Sequence, residues 1–194
     1  MSEEVRKRYL LKLDEINALA EGFVLDFGTV PEPEARRQFD DILLDMYVEG
    51  FAAAAYMLGE DGAFAGMLTD RKRSEITGKK YDGESIDEKF RKHYDALDAA
   101  ALVDLVNSEA HRCYSLGVFD KTNAANALVT WRTVGDDRVR DTHWDIDGVS
   151  VPAGGYFYTF DGDRARFPGD FQKAQNNANC RCYLEARKAV GSRK

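Results

Sequence analysis

The spacing of apolar residues changes along this chain, and that change limits the possible folds more than any other feature. Up to about Gly117, apolar residues recur at the spacing of amphipathic helices. From Leu128 onward they alternate with polar residues, which is typical of short strands separated by turns. The two patterns predict an α+β fold, with a helical body over residues 1–125 and a small β-rich module over residues 126–194.

The helical pattern is clearest in three segments. The spacing predicts helices over residues 3–19, 34–58 and 86–116. Ser85 and Glu88 have the spacing of a capping box at the start of the third helix. We expect residues 98–107 to be the most deeply packed part, because nearly all of them are apolar or alanine. The charged, glycine-containing residues 70–83 are predicted to be a connection.

The second predicted helix contains a run of small residues, Gly-Phe-Ala-Ala-Ala-Ala, from position 50 to 55. Small side chains let another helix approach closely. The run therefore predicts a docking surface for a partner protein, with Gly50, Ala53 and Ala54 as contact residues.

Composition limits the class of protein. Hydrophobic residues make up 44% of the chain and charged residues 31%, which indicates a globular protein. No apolar run approaches the roughly 20 residues that a membrane span needs, so we expect a cytoplasmic protein with no membrane partner. The net charge of −7 disfavours general DNA binding, since neutralising phosphates supplies most non-specific affinity. Contact with DNA stays open for the mildly basic residues 126–194.

Three residues of the predicted module suit a metal ion. His143, Cys180 and Cys182 are ligands that zinc accepts, and they would meet if the last strand pairs with a strand that carries His143. An aspartate would complete a tetrahedral site, the candidates being Asp137, Asp141 and Asp145. Alternatively, both cysteines pack as small residues while His143 bonds to a carboxylate. Structural zinc, plain packing and catalysis all remain open on these residues.

A dense cluster of charges follows Trp131. It consists of Asp136, Asp137, Arg138, Arg140 and Asp141. The arginines either bind a phosphate or a partner chain, or form an internal ion-pair network that fixes a turn. The network is the favoured interpretation, with Arg140 paired to an aspartate.

Several short motifs follow one another in a fixed order in the second half of the chain. A tryptophan strand precedes an Asp-x-Arg-x-Arg-x-x-His segment, a glycine turn, a Pro-Gly-Asp element and a closing Cys-Arg-Cys. This order resembles the phage Mu F-like head morphogenesis family over residues 105–184. The motif residues are Trp131, Asp136, Arg138, Arg140, His143, Gly148, Pro168, Asp170, Asn179, Cys180, Arg181 and Cys182. The chain departs from the family pattern at Ser108, usually threonine, and at Phe171, usually proline.

The resemblance implies a minor head protein that is made in the host cytoplasm and ends in the virion. Its implied partners are the portal protein and the capsid or scaffold proteins, during procapsid assembly. The alternative is a metal-dependent nuclease or toxin-like module that uses His143 with Cys180 and Cys182. A hydrolase also needs an open metal position and a separate general base, and few candidates remain. A non-enzymatic function is therefore expected. A third hypothesis, an adaptor acting through its helices, leaves residues 131–182 unexplained.

Overall fold

The computed structural model describes residues 3–25, 28–60, 68–81 and 83–189. Its helices are α1 (Glu3–Leu25), α2 (Glu32–Met57), α3 (Asp70–Thr77), α4 (Ile86–Asp95), α5 (Ala99–Ala124), α6 (Asp141–Trp144) and α7 (Ala174–Asn177). Its strands are β1 (Lys80–Tyr81), β2 (Glu84–Ser85), β3 (Leu128–Thr133), β4 (Ser150–Pro152), β5 (Phe157–Tyr158), β6 (Arg164–Ala165) and β7 (Cys182–Arg187). The predicted α+β class is confirmed.

All the strand pairs are antiparallel. β3 lies between β4 and β7, while β1 pairs with β2 and β5 with β6. The register places Trp131 opposite Leu184 and Thr133 opposite Cys182. The last strand therefore pairs with the tryptophan strand. This pairing places the Cys-Arg-Cys segment beside the C-terminal end of β3.

Helices α2 and α5 cross in backbone contact at two glycines. A Cβ atom on Gly50 would lie 1.9 Å from the carbonyl oxygen of Tyr114. A Cβ atom on Gly117 would lie 2.1 Å from the carbonyl oxygen of Tyr47. Real Cβ atoms do not approach other heavy atoms this closely, so the crossing requires glycine at both positions.

The small-residue run of α2 thus packs mainly against the chain's own helix, which corrects the prediction of a partner surface there. Gly50 and Ala54 are buried, Gly50 directly against α5. Ala53 is half-buried and lines a shallow apolar pocket beside Tyr56 and Leu184. A docking role for Ala53 stays a prediction, whereas Gly50 and Ala54 are not on the surface.

The most deeply buried helical segment lies later than predicted. Every residue from 109 to 119 of α5 is buried. By contrast, Ala99 and Ala100 are exposed, and much of residues 101–108 is only half-buried. The prediction for residues 98–107 is therefore wrong. The burial of α5 depends on its contacts with α1, α2, α4 and β7. A run of alanine and short apolar residues does not show where along the helix those contacts lie.

The predicted helix over residues 86–116 is two helices. The Ser85–Glu88 capping box is present and starts α4. Leu97 has a φ of 53° and is 68% exposed, and Asp98 then caps α5 by accepting a hydrogen bond from the Ala101 amide at 3.0 Å. The break was missed because neither glycine nor proline marks it. The predicted connection over residues 70–83 was also incomplete, since it contains α3 and β1.

A single hydrophobic cluster extends from α1 to β7, with Tyr9, Phe39, Phe90, Trp131 and Leu184 among its members. The predicted boundary at residues 125 and 126 falls between α5 and β3. The cluster continues across that boundary and does not separate the two predicted domains, so the division into two domains stays a prediction.

Among the described helices, none has the length and apolar character that crossing a membrane requires.

Replacing Gly117 with alanine tests the helix crossing. The added methyl group would force α2 and α5 apart, so we expect Gly117→Ala to lower the free energy of unfolding by about 3 kcal/mol. The matched control is Gly22→Ala in α1, where a Cβ atom meets nothing within 4 Å. That variant should gain about 0.5–1 kcal/mol from helix propensity. Urea denaturation measures both, and equal effects of the two substitutions would contradict the crossing geometry.

Candidate metal centre

His143 lies in the short helix α6, not on a strand as predicted. Its side chain is 1% exposed. The imidazole stacks on Phe171 with 5.0 Å between ring centroids, and its edge meets Trp131 at 5.8 Å. These two aromatic rings hold the imidazole in one orientation inside the module.

The Cys-Arg-Cys segment places two thiols against one ring nitrogen of this imidazole. Cys180 precedes β7 and Cys182 is its first residue. Their Sγ atoms lie 3.6 Å and 3.3 Å from His143 Nδ1. The three ligand-capable atoms all lie within 4.8 Å of one another, and all three residues are buried. The predicted grouping is therefore present, although a strand–helix contact forms it.

The two thiols differ in acidity. Burial alone would raise the pKa of Cys180, but hydrogen bonds from Cys182 and His143 outweigh this effect and hold its pKa well below the ordinary value. Burial and the neighbouring Cys180 sulfur raise the pKa of Cys182 well above the ordinary value. The pKa values of the two neighbouring thiols are therefore shifted in opposite directions.

The aspartates predicted to complete a metal site do not reach it. Asp137, Asp141 and Asp145 are exposed, and none belongs to the ligand group found among the described residues. Asp147 is also used elsewhere, since its Oδ1 accepts a hydrogen bond from the Thr133 amide at 2.7 Å. Among the described residues, this group thus offers one nitrogen and two sulfur atoms.

A polar groove of about 400 Å³ adjoins Cys180. Three arginines of the family motif line it, namely Arg138, Arg140 and Arg181. Arg181 pairs with Asp136 at 2.6 Å. Arg140 donates to the backbone carbonyl of Ala178, which corrects the expectation that its partner is an aspartate. Part of the predicted ion-pair network is thus formed, and it borders the thiols.

The remaining motif residues shape turns and packing. Gly148 has a φ of 80°, and its amide donates to the Trp131 carbonyl at 2.9 Å. Pro168 is buried, and Asp170 accepts a hydrogen bond from Arg166 Nε at 2.9 Å. Asn179, before the first cysteine, has a φ of 50°. These residues position the chain around the centre without contributing ligands to it.

Sequence reasoning missed a polar contact that ties α1 and α5 to the cysteine strand. The Tyr9 hydroxyl donates to the Cys182 carbonyl at 2.7 Å and lies 2.6 Å from His111 Nε2. That nitrogen is itself 2.9 Å from the Cys182 carbonyl. His111 lies within α5, far from Tyr9 and Cys182 along the chain. Nothing in its spacing signals the contact, because its partners lie far away in sequence.

A buried ion pair on α5 was also missed. Arg112 and Glu109 are almost completely buried and meet at 2.6 Å. Arg112 also donates to the Ile76 carbonyl at 2.7 Å. A Cβ atom on Gly169 would lie 2.9 Å from the Arg112 side chain, so the Pro-Gly-Asp element packs directly on this arginine. The signal was opposite charges three positions apart within an otherwise apolar helix.

Comparison with known proteins gives one match. The family described as phage Mu protein F like protein matches residues 73–185, more than half of the chain. The match begins in α3, earlier than the predicted residue 105, and ends in β7. No curated protein and no solved structure matches the chain.

Proposed function

The chain belongs to the phage Mu protein F like family, and we propose on that basis that it is a structural protein of phage head morphogenesis. The family match carries the proposal, because it includes α5, the cysteine strand and the elements that pack between them. We further propose that the protein associates with the portal or capsid proteins in the host cytoplasm during procapsid assembly, and stays with the head.

An exposed aromatic surface on the module supports binding to a protein partner. Tyr158 and Phe160 are 63% and 66% exposed, and Tyr156 is 38% exposed. The Arg164 guanidinium lies 4.7 Å from the centre of the Tyr156 ring. Tyrosine, phenylalanine and arginine are enriched at the centres of protein interfaces. We assign this surface, which we call the aromatic hairpin (residues 156–164), to the portal protein.

Co-purification with the cognate portal protein tests this assignment. The double variant Tyr158→Ser, Phe160→Ser should weaken portal binding about tenfold or more, since interface aromatics supply much of the binding energy. Leu11→Ser is the matched control, because Leu11 is 61% exposed and belongs to α1, outside the hairpin. It should bind like wild type.

Ala53→Glu, made in parallel, tests whether the half-buried Ala53 on α2 is part of the portal-binding surface. If Ala53→Glu abolishes binding while the hairpin variant binds normally, the partner surface lies on α2. If neither the wild type nor any variant binds the portal protein, the proposed partner is wrong.

One observation favours the enzymatic alternative: the metal-ligand group lies next to a groove that three arginines line. A hydrolase would need a free base in this groove, and His111 is the histidine that lines it. Its Nε2 is already within hydrogen-bond distance of the Tyr9 hydroxyl and the Cys182 carbonyl. Those contacts make it a structural residue, so we prefer the non-enzymatic function.

We therefore expect the purified protein to leave DNA and RNA intact in the presence of Zn²⁺, Mg²⁺ or Mn²⁺. Gel assays with single- and double-stranded substrates provide the measurement, and His143→Ala serves as the control for a contaminating nuclease. Cleavage by the wild type that His143→Ala abolishes would replace the structural proposal with the enzymatic one.

A further inference from the structure

The cluster of His143, Cys180 and Cys182 has the geometry of a zinc site. In tetrahedral coordination, Zn–N bonds of about 2.0 Å and Zn–S bonds of about 2.3 Å place sulfur about 3.5 Å from nitrogen. The observed Sγ–Nδ1 distances are 3.6 Å and 3.3 Å. Both distances therefore agree with binding of one ion, and the three ligand-capable atoms all lie within 4.8 Å of one another.

The ligand types select the metal. Two sulfurs and one imidazole nitrogen suit zinc, whereas magnesium and calcium require oxygen ligands. All three residues are nearly inaccessible to solvent, at 1%, 5% and 0% exposure.

Without a metal, the buried His143 imidazole has few hydrogen bonds to offset its loss of contact with water. His143 Nε2 is buried and has no hydrogen-bond partner among the described residues. Its other nitrogen faces only thiol groups, which are weak hydrogen-bond donors and acceptors. A buried polar side chain with so few bonds is unfavourable, and a metal bond at Nδ1 would replace the weak thiol contacts of that nitrogen.

We propose that His143 Nδ1 and the thiolates of Cys180 and Cys182 bind one zinc ion, which ties α6 to the start of β7. The ligands stand 37 and 39 residues apart in sequence, so the ion closes most of the module into a loop. Binding releases the thiol protons to solvent. Three protein ligands leave one tetrahedral position, and we assign it to water, because Cys180 borders the polar groove. This inference does not depend on the proposed head function.

Zinc content is the first test. Full-length protein purified without chelator should contain about one zinc per chain by elemental analysis, as a site with coupled folding and binding requires. Cys180→Ser and Cys182→Ser should each lose at least nine-tenths of it. Cys113→Ala is the matched control, since Cys113 is buried but lies outside the ligand group, and it should keep its zinc.

Cobalt substitution tests the wild-type chain itself, in case the cysteine variants do not fold. After chelation, Co²⁺ added to wild type should give the thiolate-to-cobalt absorption near the ultraviolet edge and the visible bands of a tetrahedral site. Zinc should displace them, and chelation should lower the melting temperature. A zinc content below a tenth of an equivalent, also after reconstitution, with no cobalt–thiolate band would show that the three residues only pack together. Full zinc retention by both cysteine variants would place the metal elsewhere.

Discussion

A helix that is buried on every side needs neighbours on every side, and residues 109–119 of α5 impose that requirement on the whole chain. α2 reaches them in backbone contact at Gly50 and Gly117. α1 reaches them through Tyr9, which bonds both to His111 and to the carbonyl of Cys182. The module contacts the same segment, since its Pro-Gly-Asp turn lies against Arg112. The helical body and the module are thus packed around the same helix.

The parts of the fold that follow local rules were predictable. The capping box at Ser85, the helix around Phe39 and the strand around Trp131 all depend on neighbours in sequence, and all are present. The break at Leu97 was not predictable, because Asp98 resembles any other charged helix residue until its capping bond is seen. The buried half of α5 was hidden for a related reason: Glu109, His111 and Arg112 look solvent-exposed, and only distant partners satisfy them.

At the candidate site, too, some features were predictable from the sequence and others were not. Residue type alone brought His143, Cys180 and Cys182 together as a candidate, because few side chains in the module bind soft metals. The secondary structure of His143 was assigned wrongly, since a four-residue helix leaves almost no periodicity to detect. The Gly50–Ala55 run was interpreted as a partner surface because close helix packing has one signature, whether the second helix belongs to the same chain or to another. Three-dimensional contacts were needed to choose.

Native-state hydrogen exchange tests most directly whether α5 unites the body and the module. If both pack on one helix, the amides of residues 109–119 and those at the centres of β3 and β7 should exchange through a common opening. Their free energies and denaturant dependences would then be equal within error. Exchange of β3 and β7 through a separate opening of lower free energy, with α5 still protected, would contradict this and indicate two independent domains that meet near residue 125.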